Sequence, residues 1–317
     1  MADKKTKFPV DRRQIAVAFF IVLALYILLP QVSIFHNSWQ ILGGLRPEWA
    51  LIAIVLTLTT YIFAALTYCL LALIRLRYRE EVVIQFAAML FNRLLPAGVG
   101  ALGANYTYLR HRRYNRIQAG TVVAINNFIG VVGHVLVVLV ALLLASDYSR
   151  HLAAMSASRD KTATWTIVGG VVLLLVLALI FIRSHLLKTY RKILLQLRNY
   201  EQHQLRLVGA LLSSVGLSLC NILCLYACML AIGVHLPFII VVLVFTFGVS
   251  TGTVTPTPGG LGGFEAGLTA GFVAYHVGSA SALAIALLFR LISYWLMLLF
   301  GLSAFVISQK QHLFSDA

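Results

Sequence analysis

The chain has 317 residues, of which 60% are hydrophobic and only 11% charged; soluble domains average about 45–50% and about 25%. This excludes an ordinary soluble globular protein and indicates a polytopic membrane protein. The formal net charge of +15 would suit a nucleic-acid binder, but the basic residues sit in short segments between apolar runs. There they set topology and attract anionic headgroups, so no nucleic-acid partner is expected.

The N-terminal MADKKTKFPVDRR and the apolar run after it have the outline of a signal peptide. No small-x-small site precedes Gln31, so the run reads as a retained first span. Apolar segments long enough to cross about 30 Å of hydrocarbon fall at roughly 13–32, 49–74, 119–144, 164–182, 207–232 and 279–308. Two further apolar regions, roughly 82–109 and 237–277, are interrupted by NRLLPAGVGALG (92–103) and TPTPGGLGG (255–263).

Treating each broken region as a re-entrant hairpin puts 19 of the 25 Lys and Arg residues on one side. That side is the cytoplasm by the positive-inside rule, and it holds both termini. A single crossing would separate the basic RLRYREE and RHRRYNR, which the rule disfavours. Both breaks contain P-x-G-x-G, with Pro96, Gly98 and Gly100 in the first and Pro258, Gly260 and Gly262 in the second, where Gly259 follows the proline. The expected fold is all-α, with about six full spans and two re-entrant broken-helix hairpins in an inverted repeat. The chain reads as one integral membrane domain over 1–317. Its halves, roughly 49–144 and 207–308, are joined by an amphipathic linker at roughly 183–206.

Glu265 follows the second break, where a half-helix could begin. An ionised carboxylate at membrane depth costs about 2.5–3.5 kcal/mol and needs a partner, water or a proton. It either caps its own half-helix and holds the hairpin shut, or faces a polar cavity and meets a cationic group or a proton. Arg290 lies too deep in the last span to snorkel easily; Glu265 is its simplest partner and a phosphate the alternative. Arg93, beside Asn92 at the first break, either meets phosphate or reaches the inner interface. Asn127 and His134 share a face, near Asn126, and either bond between helices or line the cavity. Thr251, Thr253, Thr255 and Thr257 alternate along a stretch expected to be unwound; their hydroxyls either serve a headgroup or satisfy broken backbone. Cys220, Cys224 and Cys228 share one apolar helix face and read as small packing residues. No constellation of a known enzyme or metal site occurs, so neither catalysis nor a cofactor is expected.

PTPGGLGGFEAGL (256–268) followed by FRLISYWLMLLFG (289–301) resembles the signature pair of the lysylphosphatidylglycerol synthase/flippase membrane-domain family, which includes MprF-like and YbhN-like proteins. NRLLPAGVGALG resembles that family's first break. The resemblance implies an inverted-repeat membrane protein placed among lipid flippases, some of which move aminoacylated phosphatidylglycerol between leaflets. Pro258, Gly259, Gly260, Gly262, Glu265 and Arg290 carry over by motif position. Ala97, Ala101 and Ala104 stand where many relatives have Gly, Glu or Arg, which weakens charge-based headgroup capture in the first half. No aminoacyl-transferase domain follows residue 317, so synthesis of such a lipid is not expected of this sequence. The leading expectation is a phospholipid flippase of the plasma membrane, with Glu265, Arg290, Arg93, Asn92, Asn127, Thr255 and Thr257 at the headgroup. The alternative is a non-transporting membrane partner that binds lipid or scaffolds a separate glycosyltransferase or lipid synthase.

Overall fold

The computed structural model describes residues 44–72, 74–95, 99–144, 204–255, 257–311 and 313. The spans expected at 13–32 and 164–182, the linker up to residue 203, and Pro96 and Gly98 lie outside these residues. Among the described residues every regular element is helical: α1 (Pro47–Leu71), α2 (Tyr78–Leu94), α3 (Val99–His111), α4 (Arg116–Leu144), α5 (Gln204–Ala231), α6 (Phe238–Val254), α7 (Gly263–Ala274), α8 (Ser279–Arg290) and α9 (Met297–Lys310). A 3₁₀ turn at Pro258–Gly260 joins α6 to α7, and a widened, π-helical stretch, Leu291–Leu296, joins α8 to α9 without a break in the helix.

Four of these helices are long and apolar enough to cross a membrane: Pro47–Leu71, Arg116–Leu143, Gln204–Ala231 and the continuous Ser279–Lys310. At 1.5 Å per residue the shortest, with 25 residues, spans about 38 Å, beyond the roughly 30 Å of a hydrocarbon core. Leu51, Val55, Leu139, Leu143, Leu212 and Leu299 stand exposed on their flanks, as side chains facing lipid tails would. The chain is therefore a helical, multi-span membrane protein.

Local sequence signals set several helix ends. Pro47 occupies the first turn of α1, where no amide donor is needed. Asn115 and Gln118 exchange side-chain-to-backbone hydrogen bonds (2.8 and 3.1 Å), a reciprocal box that starts α4. The hydroxyls of Thr251 and Thr253 each return to the carbonyl four residues back, at 3.1 and 2.7 Å. Both residues are helical, so α6 runs to Val254 and the unwound stretch is shorter than the alternating threonines suggested.

Between apolar helices in lipid the hydrophobic effect is weak, and close backbone approach supplies the packing. α5 meets α1 through small residues at helical spacing. A Cβ on Gly216 would sit 2.9 Å from the Phe63 ring, Ser213 donates to the Phe63 carbonyl (2.9 Å), and Cys224 lies 3.2 Å from the Thr57 hydroxyl. On its neighbouring side Ser214 donates to the Ile129 carbonyl of α4 (3.2 Å). Cys224 is thus a small residue in a tight seam, and all three cysteines of α5 are buried.

The α6–α7 hairpin is closer still. A Cβ on Gly248 would come 2.6 Å from Leu268, one on Gly252 3.0 Å from Phe264, and one on Gly271 3.0 Å from Val244. Gly263 and Gly267 face the Thr255 and Thr251 hydroxyls with no room for any side chain. In the α2–α3 hairpin Gly100 does the same work, lying flat against the Phe91 carbonyl. The hairpins then dock on other helices: α7 on α8, α2 on α9, and the 3₁₀ turn on α2.

This seam gives a direct test. Gly267→Ala forces a Cβ into the Thr251 hydroxyl and is expected to destabilise the protein by about 1–3 kcal/mol, the usual range for overpacking. Gly103→Ala, where nothing lies within 4 Å, should be neutral or stabilise by up to about 1 kcal/mol. Thermal unfolding of both variants in detergent measures the difference.

Candidate functional site

The site is built around the turn between α6 and α7. Gly259 and Gly260 take φ of +61° and +67°, the left-handed region in which a side chain would be strained. These angles fold the chain back so that α7 starts at Gly263. Glu265 is the third residue of that helix. Its Oε2 accepts the N–H of Gly262 at 2.8 Å, the carboxylate half of a capping box, and the helix N-terminus favours its negative charge.

The other carboxylate oxygen, Oε1, lies 2.8 Å from Nε of Arg290, and both side chains are more than nine-tenths buried. Nη2 of Arg290 donates to the carbonyls of Gly259 (3.1 Å) and Gly260 (3.2 Å). One guanidinium thus neutralises the carboxylate and satisfies two carbonyls that the turn has freed from helical pairing. Its flat face lies 4.4 Å from the Phe264 ring centre, and Phe264 stacks on Phe289 at 5.6 Å. Removing either charge would leave the other buried and unpaired, a loss of about 3–5 kcal/mol in comparable buried pairs.

Arg93, from the end of α2, reaches the same region from the other hairpin. Its Nη2 donates to the Ser293 carbonyl (2.8 Å) inside the widened turn of the last helix. Its guanidinium lies 4.5 Å from the Tyr294 ring, and the Tyr294 hydroxyl donates back to the Arg93 carbonyl (3.1 Å). Tyr294 is also 5.3 Å from the Arg290 guanidinium, so one aromatic ring links the two arginines. Nε of Arg93 and Oδ1 of the neighbouring Asn92 are buried without a hydrogen-bond partner.

The structure brings Glu265, Arg290, Gly259, Gly260 and Gly262 into one cluster, with Arg93 attached through Tyr294. Thr255 and Thr257 border the turn, donating to the carbonyls of Thr251 and Leu261, both at 2.8 Å. Asn127 is exposed on α4 and donates to its own helix at Val123 (2.8 Å), away from this network. His134 meets Thr246 of α6 at 3.2 Å; the threonine donates to Val242 (2.8 Å), which leaves the imidazole Nε2 as the donor. Among the described residues no group of three or more His, Cys, Asp or Glu side chains converges as a metal site would require.

Sequence reasoning missed Tyr294 and the buried Glu81. Tyr294 lies four residues after Arg290, the spacing that stacks side chains on one helix face, and so was recoverable. Glu81 follows another glutamate in a basic segment and looks like a solvated charge.

The family model for the lysylphosphatidylglycerol synthase TM region matches residues 14–301, and both breaks and the whole ionic cluster fall inside this range. The chain belongs to that family. Membership implies a lipid-related role in the membrane. No curated protein sequence matches the chain. Within the matched range, PGGLGGFE (258–265) and RLISYW (290–295) supply the two ends of the buried ion pair and the ring beside it.

Glu265→Gln and Arg290→Gln are each expected to destabilise the protein by about 3–5 kcal/mol, read by unfolding in detergent. The double variant should lose clearly less than the sum of the singles, because the pair's penalty is removed once. Additive losses would show that the two charges are not coupled.

Proposed function

We propose that the chain is a phospholipid translocase of the plasma membrane, with both termini cytoplasmic, rather than an enzyme. The headgroup crosses near the two helix breaks while the acyl chains stay in lipid. The observation that carries this reading is the pair of unsatisfied polar atoms at the first break, Asn92 Oδ1 and Arg93 Nε, buried in a family of lipid-linked membrane domains. Buried polar groups are nearly always paired, so two adjacent orphans suit a ligand that supplies the missing partners.

Their chemistry suggests which part of a lipid each break would meet. Arg93 also meets the Tyr61 side chain, which leaves its Nε–H as the donor that suits a phosphate oxygen. At the second break Thr257, and just before it the exposed Thr253 of α6, donate their hydroxyl hydrogens to backbone carbonyls and keep only acceptor lone pairs. Acceptors alone suit an ammonium group, which points towards an aminoacylated headgroup. Glu265 and Arg290 then hold the hairpin in shape, their charges cancelling each other within it.

Element order supports an inverted repeat. In each half a span (α1, α5) precedes a hairpin (α2–α3, α6–α7) and another span follows (α4, α8–α9). The two leading spans pack on each other. This is the arrangement in which transporters place a site at broken helices.

The test is reconstitution into vesicles with fluorescent lysylphosphatidylglycerol and, separately, fluorescent phosphatidylglycerol. Wild type is expected to move the lipid between leaflets faster than protein-free vesicles. Arg93→Gln should slow it about tenfold, equivalent to about 1.4 kcal/mol of lost charge-assisted contact. Wild type indistinguishable from empty vesicles for both lipids would favour the non-transporting partner instead.

A further inference from the structure

A second acidic residue is buried away from the ion pair. Glu81 lies in the first turn of α2, outside the four membrane spans, and is 0% exposed. Gln85 donates to its Oε1 at 2.7 Å and also, at 2.7 Å, to Oδ1 of Asn105 on α3; Asn105 donates on to the Ala101 carbonyl at 2.9 Å. This chain of amides ties the two arms of the first hairpin together and ends on the carboxyl group. The other oxygen, Oε2, is buried with no hydrogen-bond partner.

Among the described residues no cation lies against it: α9, which packs along α2, carries only the exposed Lys310. On its own helix, Glu80 takes both nearby guanidiniums, pairing with Arg77 (3.3 Å) and with Arg112 from the turn after α3. α1 contributes Tyr68 and Cys69, α3 contributes Tyr108, and α4 contributes Asn126 through its hydrogen bond to Tyr68. All are neutral, and the Tyr108 hydroxyl is itself buried without a partner. A metal cation would need several oxygens, whereas the Gln85 amide presents hydrogens to this carboxyl group.

Two effects then compete. The α2 N-terminus favours a carboxylate by about 0.3–1 kcal/mol, or about 2 in the best partly buried cases. Burying an uncompensated ion costs several kcal/mol. Burial wins, and it raises the Glu81 carboxyl to about 8, with the Gln85 hydrogen bond pulling the other way.

We propose that Glu81 is a proton-binding site: a neutral carboxylic acid while the α2–α3 hairpin is closed, which releases its proton when the hairpin opens to water. On opening, the O–H bond breaks, the proton passes to water and the carboxylate is hydrated. Reclosing requires the proton to return. The hairpin that carries Arg93 thereby closes with uptake of one proton. This inference does not depend on which lipid the protein handles, or on whether it moves one.

The sign of the pH dependence follows. The folded protein holds this proton more tightly than the unfolded chain does. Its contribution to stability is complete below the ordinary carboxylate range and is lost as pH rises through about 8.

The experiment is infrared difference spectroscopy, between pH 5 and pH 9, on the purified full chain and on Glu81→Gln in lipid nanodiscs, with thermal unfolding at both pH values. Wild type should lose a protonated-carboxyl band that the variant lacks. Its melting temperature should fall by several degrees more than the variant's on going to pH 9. Absence, from the wild-type spectrum at pH 5, of any protonated-carboxyl band that the variant lacks would overturn the proposal, because Glu81 would then be ionised even there. Failure of Glu81→Gln to fold at pH 5 would also overturn it, since the amide copies the neutral acid in shape and charge.

Discussion

A carboxylate and a guanidinium 2.8 Å apart, both more than nine-tenths buried, fix the geometry of everything around the second helix break. Neither charge could remain there alone. Because Arg290 also holds the carbonyls of Gly259 and Gly260, the pair does more than neutralise itself. It clamps a turn whose backbone lies in the left-handed region and whose freed carbonyls need donors. The start of α7 is set by Glu265 and the position of Arg290 by α8. The ion pair therefore fixes the second hairpin against the last helix.

Around that anchor, packing is achieved by removing side chains. The glycines of α6 and α7 bring two backbones together, and the small residues of α5 do the same against α1. In lipid this is the expected route to tight association, because burying leucine against leucine gains little over burying it in acyl chains. The exposed leucines and valines on the outer faces meet the lipid, and the helices meet one another through Gly, Ser, Thr and Cys.

Much of this was legible in the sequence, for physical reasons. Uncharged runs of the right length mark spans, and their ends carry the arginines. Glu265 just after a Pro/Gly break and Arg290 inside an apolar run are so expensive unpaired that each points to the other. Other features depended on tertiary neighbours. Thr251 and Thr253 looked unwound because they alternate, yet their hydroxyls bond back along the helix and extend it. Glu81 is hidden by its neighbour: of two adjacent glutamates, Glu80 takes both arginines and Glu81 turns inward to Gln85. Asn127 shares a face with His134 on a helix drawn from sequence, but it points outward and bonds to its own helix. The small-residue seams show only when two helices are aligned, which a single sequence does not do.

The widened turn at Leu291–Leu296 has a mechanical meaning. Ser279–Lys310 is one continuous helix, yet its two parts serve different neighbours: α8 packs on α7 of the second hairpin, and α9 packs on α2 of the first. In a π-helical stretch each hydrogen bond spans one residue more than in the flanking α-helix. One residue of register is about 100° of rotation and 1.5 Å of rise. That extra residue offsets the face of α9 from that of α8, so each part of one helix presents its own face to its own hairpin. Arg93, from the first hairpin, bonds to the Ser293 carbonyl inside that stretch and so ties the first hairpin to the point where the two faces change over.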